Sequence, residues 1–77
     1  MKVDVKLLNG RVIEFEIQGT DKIMSLKQKL EESEGISVDQ IRLVYSGRQL
    51  PDDKTFEEMK VKEKSVINML LSLRGGN

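Results

Sequence analysis

Met1-Lys2-Val3-Asp4-Val5-Lys6-Leu7-Leu8-Asn9-Gly10-Arg11-Val12-Ile13-Glu14-Phe15-Glu16-Ile17 opens the chain, and its reading decides the fold. Met1, Val3, Val5 and Leu7 alternate with Lys2, Asp4 and Lys6, the two-residue period of a half-buried strand. Asn9-Gly10 tolerates positive φ and marks a tight turn, and beyond it Ile13, Phe15 and Ile17 alternate with Glu14 and Glu16. Residues 1–17 therefore read as a β-hairpin. Leu8 falls out of phase with the inward set and is expected to face water.

The period then changes. Gln18-Gly19 breaks the second strand, and Thr20 or Asp21 is placed to accept a hydrogen bond from the first amides of a helix. Ile23, Leu26 and Leu30 are spaced three and four apart, which lays one apolar stripe along that helix, and Gly35 ends it in the left-handed conformation. Glu31, Glu32 and Glu34 crowd its last turn and read as a solvated face. Ile36 folds back on the helix end, and residues 37–40 make the connection to a third strand, where Ile41, Leu43 and Tyr45 face inward and Arg42 and Val44 outward. Ser46-Gly47 turns the chain into a short strand, Arg48-Gln49-Leu50, stopped by Pro51. Thr55 with Glu58 fits a capping box and predicts a short helix over 55–59, with Phe56 and Met59 turned inward. Val61 is expected to be buried. A last strand runs from Val66 to Leu71, with Ile67 and Met69 inward and Asn68 and Leu70 outward. The expected fold class is α+β, a mixed sheet of four to five strands packed on one main helix plus one short helix.

The last residues, Leu73-Arg74-Gly75-Gly76-Asn77, carry the functional signal. Strand residues give way to one cation and two glycines, which predicts a folded body over 1–72 and a flexible tail over 73–77. A carboxyl group carried on glycine enters a narrow groove that any Cβ would block. The rest of the chain offers little chemistry. It has no His and no Cys, which removes thiol nucleophiles, imidazole bases, disulfides and metal sites built on either. Its serines lack an activating base, and the acidic pairs Glu31-Glu32, Asp52-Asp53 and Glu57-Glu58 sit in a domain too small for the concave pocket that acid–base catalysis needs. The chain reads as a non-enzyme with no cofactor and no metal. Thirteen basic against thirteen acidic residues leave no net field, so neither nucleic acid nor a membrane is an expected partner. No apolar run approaches the roughly 18 residues of a membrane span, and residues 1–4 lack the apolar segment of a signal peptide. A soluble monomer of the cytoplasm and nucleus is expected.

On the outer side of the sheet, Leu8, Val44 and Leu70 are the apolar residues that the strand periods leave facing water. Lys6, Arg42 and Arg48 would rim them. An apolar centre with a basic rim is the anatomy of a transient protein-binding face.

From Met1 to Gly76 the chain resembles the ubiquitin family, whose fold is the β-grasp roll. The resemblance runs through Val5-Lys6, Leu8, Gly10, Lys27, Glu34-Gly35-Ile36, Asp39-Gln40, Arg42-Leu43, Gly47, Gln49-Leu50, Leu71 and Leu73-Arg74-Gly75-Gly76. Within the family it is most similar to the Rub or Nedd-type modifiers through Glu14, Thr20-Asp21-Lys22, Glu31-Glu32, Tyr45-Ser46-Gly47, Lys54-Thr55, Lys60 and Ser65-Val66. Ser72 adds to this, because ubiquitin has an arginine there that its activating enzyme reads, whereas Nedd-type proteins have a small residue. Asn77 resembles the short extension some Rub proteins carry.

The resemblance implies a protein modifier. A processing protease would remove Asn77, an activating enzyme would adenylate Gly76 and load it as a thioester, and a conjugating enzyme would pass it to a substrate lysine, such as one of a cullin. It assigns Gly75 and Gly76 to conjugation and Leu71, Ser72, Leu73 and Arg74 to recognition by the activating enzyme. Leu8, Arg42, Val44, Arg48, Asn68 and Leu70 become the partner-binding patch, and Ile36, Leu71 and Leu73 a second apolar patch. Lys6, Lys27 and Lys29 would be acceptor lysines. The chain also departs from the family. Arg48 and Glu63 stand where chain-building lysines occur, and Asn68 replaces a histidine. Ser37-Val38 replaces paired prolines and leaves that loop less stiff. Glu63-Lys64 replaces two glycines, so one of that pair is expected to carry a positive φ. Three other readings stay open: the ubiquitin-like binding domain of a larger, unconjugated protein; a sulfur carrier; and a modifier handled by ubiquitin's own enzymes.

Overall fold

The computed structural model describes residues 1–72. The expectation of a flexible tail over 73–77 lies outside the described residues. Five strands, β1 (Lys2–Lys6), β2 (Val12–Glu16), β3 (Ile41–Tyr45), β4 (Arg48–Gln49) and β5 (Val66–Leu71), form one mixed sheet in the order β2-β1-β5-β3-β4. Of these strands only β1 and β5 run parallel, with Val5 beside Ile67; the other pairings are antiparallel. The helix α1 (Ile23–Glu34) supplies the connection that packs across the sheet, and the order is that of a β-grasp fold.

Each long strand sends alternate residues into a common core. Val3, Val5, Ile67, Leu43 and Ile41 meet Ile23, Leu26 and Leu30 from the helix and Phe56 from the loop after β4. Ile13 and Phe15 are only half-buried, because β2 is an edge strand and the core covers it incompletely. A fully buried Leu, Ile or Phe side chain contributes about 1.5–3 kcal/mol of transfer free energy, and with no disulfide in the chain this packing carries the fold.

The hairpin forms at Asn9-Gly10 with a three-residue tip. Gly10 N donates to Leu7 O at 3.0 Å, Leu7 N donates to Arg11 O at 2.8 Å, and Gly10 takes φ 89. This is a tight turn closed by a left-handed glycine, as three-residue hairpin loops commonly are. At the far end of α1, Gly35 adopts φ 72 and its N–H bonds Glu31 O, as expected of a helix terminator.

The start of α1 departs from expectation. Lys22 occupies the N-cap without a side-chain bond, and Asp21 instead accepts from Gln18 N at 2.9 Å and closes the preceding turn. The first helical amides find backbone partners in a distant loop, where Ile23 N donates to Lys54 O at 2.9 Å and Met24 N to Asp52 O at 3.2 Å. These amides must be satisfied in some way, and a tertiary carbonyl serves as well as a capping side chain. The reciprocal bonds of the capping box are present, Thr55 N to Glu58 Oε1 at 2.9 Å and Glu58 N to Thr55 Oγ1 at 3.0 Å. Beyond them the chain runs through successive turns, and the short helix expected at 55–59 is absent. One helix-type bond forms, Met59 N to Thr55 O at 3.1 Å, but Lys60 takes φ 61 and Val61 N turns back to Phe56 O, so the left-handed residue stops the segment after a single turn. Thr55 lowers the Glu58 pKa from its ordinary 4.5, chiefly by donating its backbone N–H to the carboxylate. That contribution holds above the ordinary carboxylate range and is lost as pH falls through the lowered value.

The short helix of the structure is a 3-10 turn at Val38–Gln40, where Ser37 Oγ accepts from Asp39 N at 3.3 Å. Ser37 thus caps this segment with its own side chain. Lys64 carries the positive φ expected of the Glu63-Lys64 pair, at φ 65, a cost of about 1–2 kcal/mol for a residue with a Cβ. Glu34 departs from the solvated acidic face: it pairs with Arg11 at 3.5 Å and accepts from Ser33 Oγ at 2.7 Å.

Lys27 lies on the buried side of α1 and places its ammonium against Asp52 at 2.5 Å. Removing the carboxylate leaves a buried charge uncompensated, so Asp52→Ala is expected to cost about 2 kcal/mol, and Lys27→Met less than that, because the methionine refills the same volume without a charge. Denaturant unfolding of the two variants measures both, and an Asp52→Ala protein as stable as the parent would contradict the role given to the pair.

Candidate functional site: the outer face of the sheet

The strand registers assemble the outer face row by row. Val44 of β3 lies opposite Asn68 of β5, Asn68 beside Lys6 of β1, and Lys6 opposite Val12 of β2; Gln49 of β4 completes the row on the other side of Val44. Arg42 stands opposite Leu70 in the adjoining row. Neighbouring strands are about 4.8 Å apart and alternate residues of one strand about 6.8 Å, so Val44, Asn68, Leu70 and Arg42 form one continuous surface. Leu8, at the hairpin tip just beyond Lys6, is 59% exposed and Leu70 43%. Val44 is half-buried by its neighbours, so it is a less open apolar contact than the strand period alone suggests. Asn68 at the centre is neutral at every ordinary pH, so the middle of this face carries no titratable group.

Arg48 is displaced from its expected place. It pairs with Tyr45, so Gln49 stands in line with Val44 and Arg48 sits one step around the edge of the sheet. Two exposed apolar residues escaped the reading of the sequence, Val12 at 55% and Val66 at 50%. Val66 lies beside Asp4, and both valines extend the outer face toward β2. Their phase was the available signal, since Val12 alternates with Glu14 and Glu16, and Val66 with Asn68 and Leu70.

The second apolar patch is partly described. Leu71 pairs with Ile41 at the end of β5 and is 38% exposed, while Ile36 packs half-buried against the core. Ser72 is half-buried, and its N–H donates to Gln40 O at 2.7 Å, which anchors the chain at the last described residue. Leu73, Arg74, Gly75, Gly76 and Asn77 lie outside the described residues.

The three candidate acceptor lysines separate. Lys6 is exposed on the outer face. Lys29 is exposed but donates its ammonium to Glu16 O at 3.1 Å. Lys27 differs from the expectation of an available amine: its side chain is only 7% exposed and its nitrogen is held by Asp52. Glu16 also accepts from the Met1 ammonium at 2.7 Å, and this hydrogen bond is the main cause that lowers its pKa from 4.5. Among the described residues no pocket forms, and no group of three acidic side chains gathers to hold a metal. The arrangement can bind another protein through a shallow face and offers no enclosed place for a reaction.

Comparison with known proteins agrees with this geometry. The model of the ubiquitin family matches residues 3–74. The chain is 45% identical over 76 residues to ubiquitin-like protein NEDD8 of Dictyostelium discoideum, covering 99% of each chain. It is 43% identical over 77 residues to ubiquitin-like protein 1 of Schizosaccharomyces pombe, covering all of this chain and 99% of that protein. It is also 42% identical over 76 residues to NEDD8-like protein RUB3 of Arabidopsis thaliana, covering 99% of this chain and 97% of that one. These relatives are ubiquitin-like proteins, and like them this chain is not an enzyme.

The exposure values separate the face from the core energetically. Leu8→Ala and Leu70→Ala are each expected to change stability by less than about 0.5 kcal/mol, and Val44→Ala to cost about 1 kcal/mol. Chemical denaturation reads all three, and a collapse of the fold on Leu8→Ala would show that this residue belongs to the core.

Proposed function

The chain belongs to the ubiquitin family, and we propose that it is a protein modifier of the NEDD8 or Rub type, joined through Gly76 to lysines of other proteins. The observation that carries the proposal is similarity along the whole chain to proteins of that branch. In this reading a protease first cleaves the Gly76-Asn77 bond. An activating enzyme then adenylates the freed carboxylate and transfers it to a thiol, and the substrate's lysine displaces that thiol to leave an amide. The chain contributes the electrophilic carbon and the fitted approach to it, and every general acid, base and nucleophile belongs to the enzymes.

Each group of residues takes a separate part. Gly75 and Gly76 thread the enzymes' grooves because they carry no side chain. Leu71, Leu73 and Arg74 dock the tail, and Ser72 selects the activating enzyme, since a small side chain leaves unsatisfied a site built to pair an arginine. Leu8, Val44, Asn68 and Leu70, with Lys6 and Arg42 at the rim, form the face read after attachment, and Arg48 adjoins it from the sheet edge. Cullins are the proposed substrates, in the cytoplasm and nucleus, by analogy with the branch.

Charging kinetics test the assignment. The chain ending at Gly76 is expected to form a thioester far faster with a Rub-type activating enzyme than with ubiquitin's, and Ser72→Arg is expected to narrow the gap. The Ser72 hydrogen bond to Gln40 is made by the backbone N–H, so the substitution changes the side chain presented and leaves that anchor in place. Equal charging of the unmutated chain by both enzymes would contradict the proposal.

A further inference from the structure

The hairpin tip between β1 and β2 places an asparagine before a glycine, and its hydrogen bonds prepare that pair for a reaction. Arg11 N donates to Asn9 Oδ1 at 3.0 Å. This bond ties the Asn9 carboxamide to the backbone two residues on, across the Gly10 peptide. It also draws electron density from Cγ and is placed to bind the negative charge that gathers on Oδ1 when a nucleophile adds. Gly10 has no side chain to shield its nitrogen, and a Cβ built there would meet nothing within 4 Å. The whole tip from Leu8 to Arg11 is exposed, so hydroxide and water have free access. One bond opposes the attack, Gly10 N to Leu7 O at 3.0 Å. It lies at the exposed end of an edge hairpin, where local opening costs least.

We propose that Asn9 is a site of spontaneous covalent modification that deamidates in the folded protein. Hydroxide takes the Gly10 amide proton, and the nitrogen adds to Asn9 Cγ. The N–Cγ bond forms, the Cγ–Nδ2 bond breaks, and ammonia leaves behind a succinimide. Water then adds to one of the two imide carbonyls. Opening on one side yields aspartate, and opening on the other yields isoaspartate, which carries an extra backbone methylene. Only water is consumed and only ammonia released. Asn68 is the internal contrast, because it lies within β5 and is followed by Met69, whose side chain is buried in the core. The product places a carboxylate next to Leu8, on a face rimmed by Lys6 and Arg42. That consequence rests on the proposed docking role, whereas the chemistry at Asn9 does not.

The full folded chain, incubated at mildly alkaline pH and followed by intact mass and peptide mapping, tests the site. The expected result is exchange of amide for acid at Asn9, with isoaspartate as the main product, while Asn68 stays unchanged and an Asn9→Gln protein, whose ring closure needs a larger ring, gains no acid at that position. Two results would overturn the proposal. One is an Asn9 that stays intact in the folded chain while the urea-unfolded chain deamidates there, since the turn would then be a lock. The other is Asn68 reacting as fast as Asn9. Neither bears on thioester charging, so the modification and the proposed function fail separately.

Discussion

The parallel pairing of β1 with β5 is the constraint on which the rest of this structure depends. It brings residues 4–6 beside residues 66–68, and Val5 and Ile67 at that junction are both fully buried. Parallel neighbours need a long crossover, and everything from the first hairpin to the 62–65 turn lies between them, with α1 packed beneath. Closing such a distant contact is entropically costly, and the fully buried side chains of both strands and of α1 offset the cost. Lys64 accepts a left-handed backbone at the entrance to β5, and its N–H bonds Lys2 O at 2.6 Å, so even the strained turn is tied to β1.

From that pairing β5 acquires two duties. Ile67 and Met69 point into the core, while Asn68 and Leu70 lie in line with Lys6, Val44 and Arg42 on the open side. The same strand then runs into Leu71 and Ser72, where the Gln40 carbonyl anchors the chain at the last described residue. In the proposed function, the docking face and the last described residues before Gly76 therefore belong to one strand. That would suit a tag, because the surface to be read and the approach to the point of attachment share one element.

Much of the fold was legible because its signals are local. Alternation in 1–17, 41–45 and 66–71, the stripe Ile23-Leu26-Leu30, Gly35 and the Thr55–Glu58 pair each follow from backbone period or short-range hydrogen bonding, and the structure contains all of them. What escaped depends on distant partners. The start of α1 is capped by the Lys54 and Asp52 carbonyls, about thirty residues on in the chain. Lys27 reads as an accessible amine until Asp52 is brought over it, and Glu34 as a solvated anion until Arg11 approaches. Thr55–Met59 makes one turn in place of a helix because Lys60, with nothing in its side chain to announce it, takes the left-handed conformation just beyond. For the site, Leu8 and Leu70 were legible from phase and Asn68 from resemblance. Val12 and Val66 went unnoticed beside the charged residues they alternate with, and Arg48 required the register against Tyr45.

The central claim is that the Gly76 carboxyl is released and joined to an amine of another protein. Mass spectrometry of the C-terminal peptide recovered from the protein's own cells tests it most directly. The account predicts Gly76 in an amide bond to the side-chain nitrogen of a lysine from a different polypeptide, with Asn77 gone. Gly76 found only in peptide linkage to Asn77, across the whole cellular pool, would contradict it and leave a domain that docks without ever being attached.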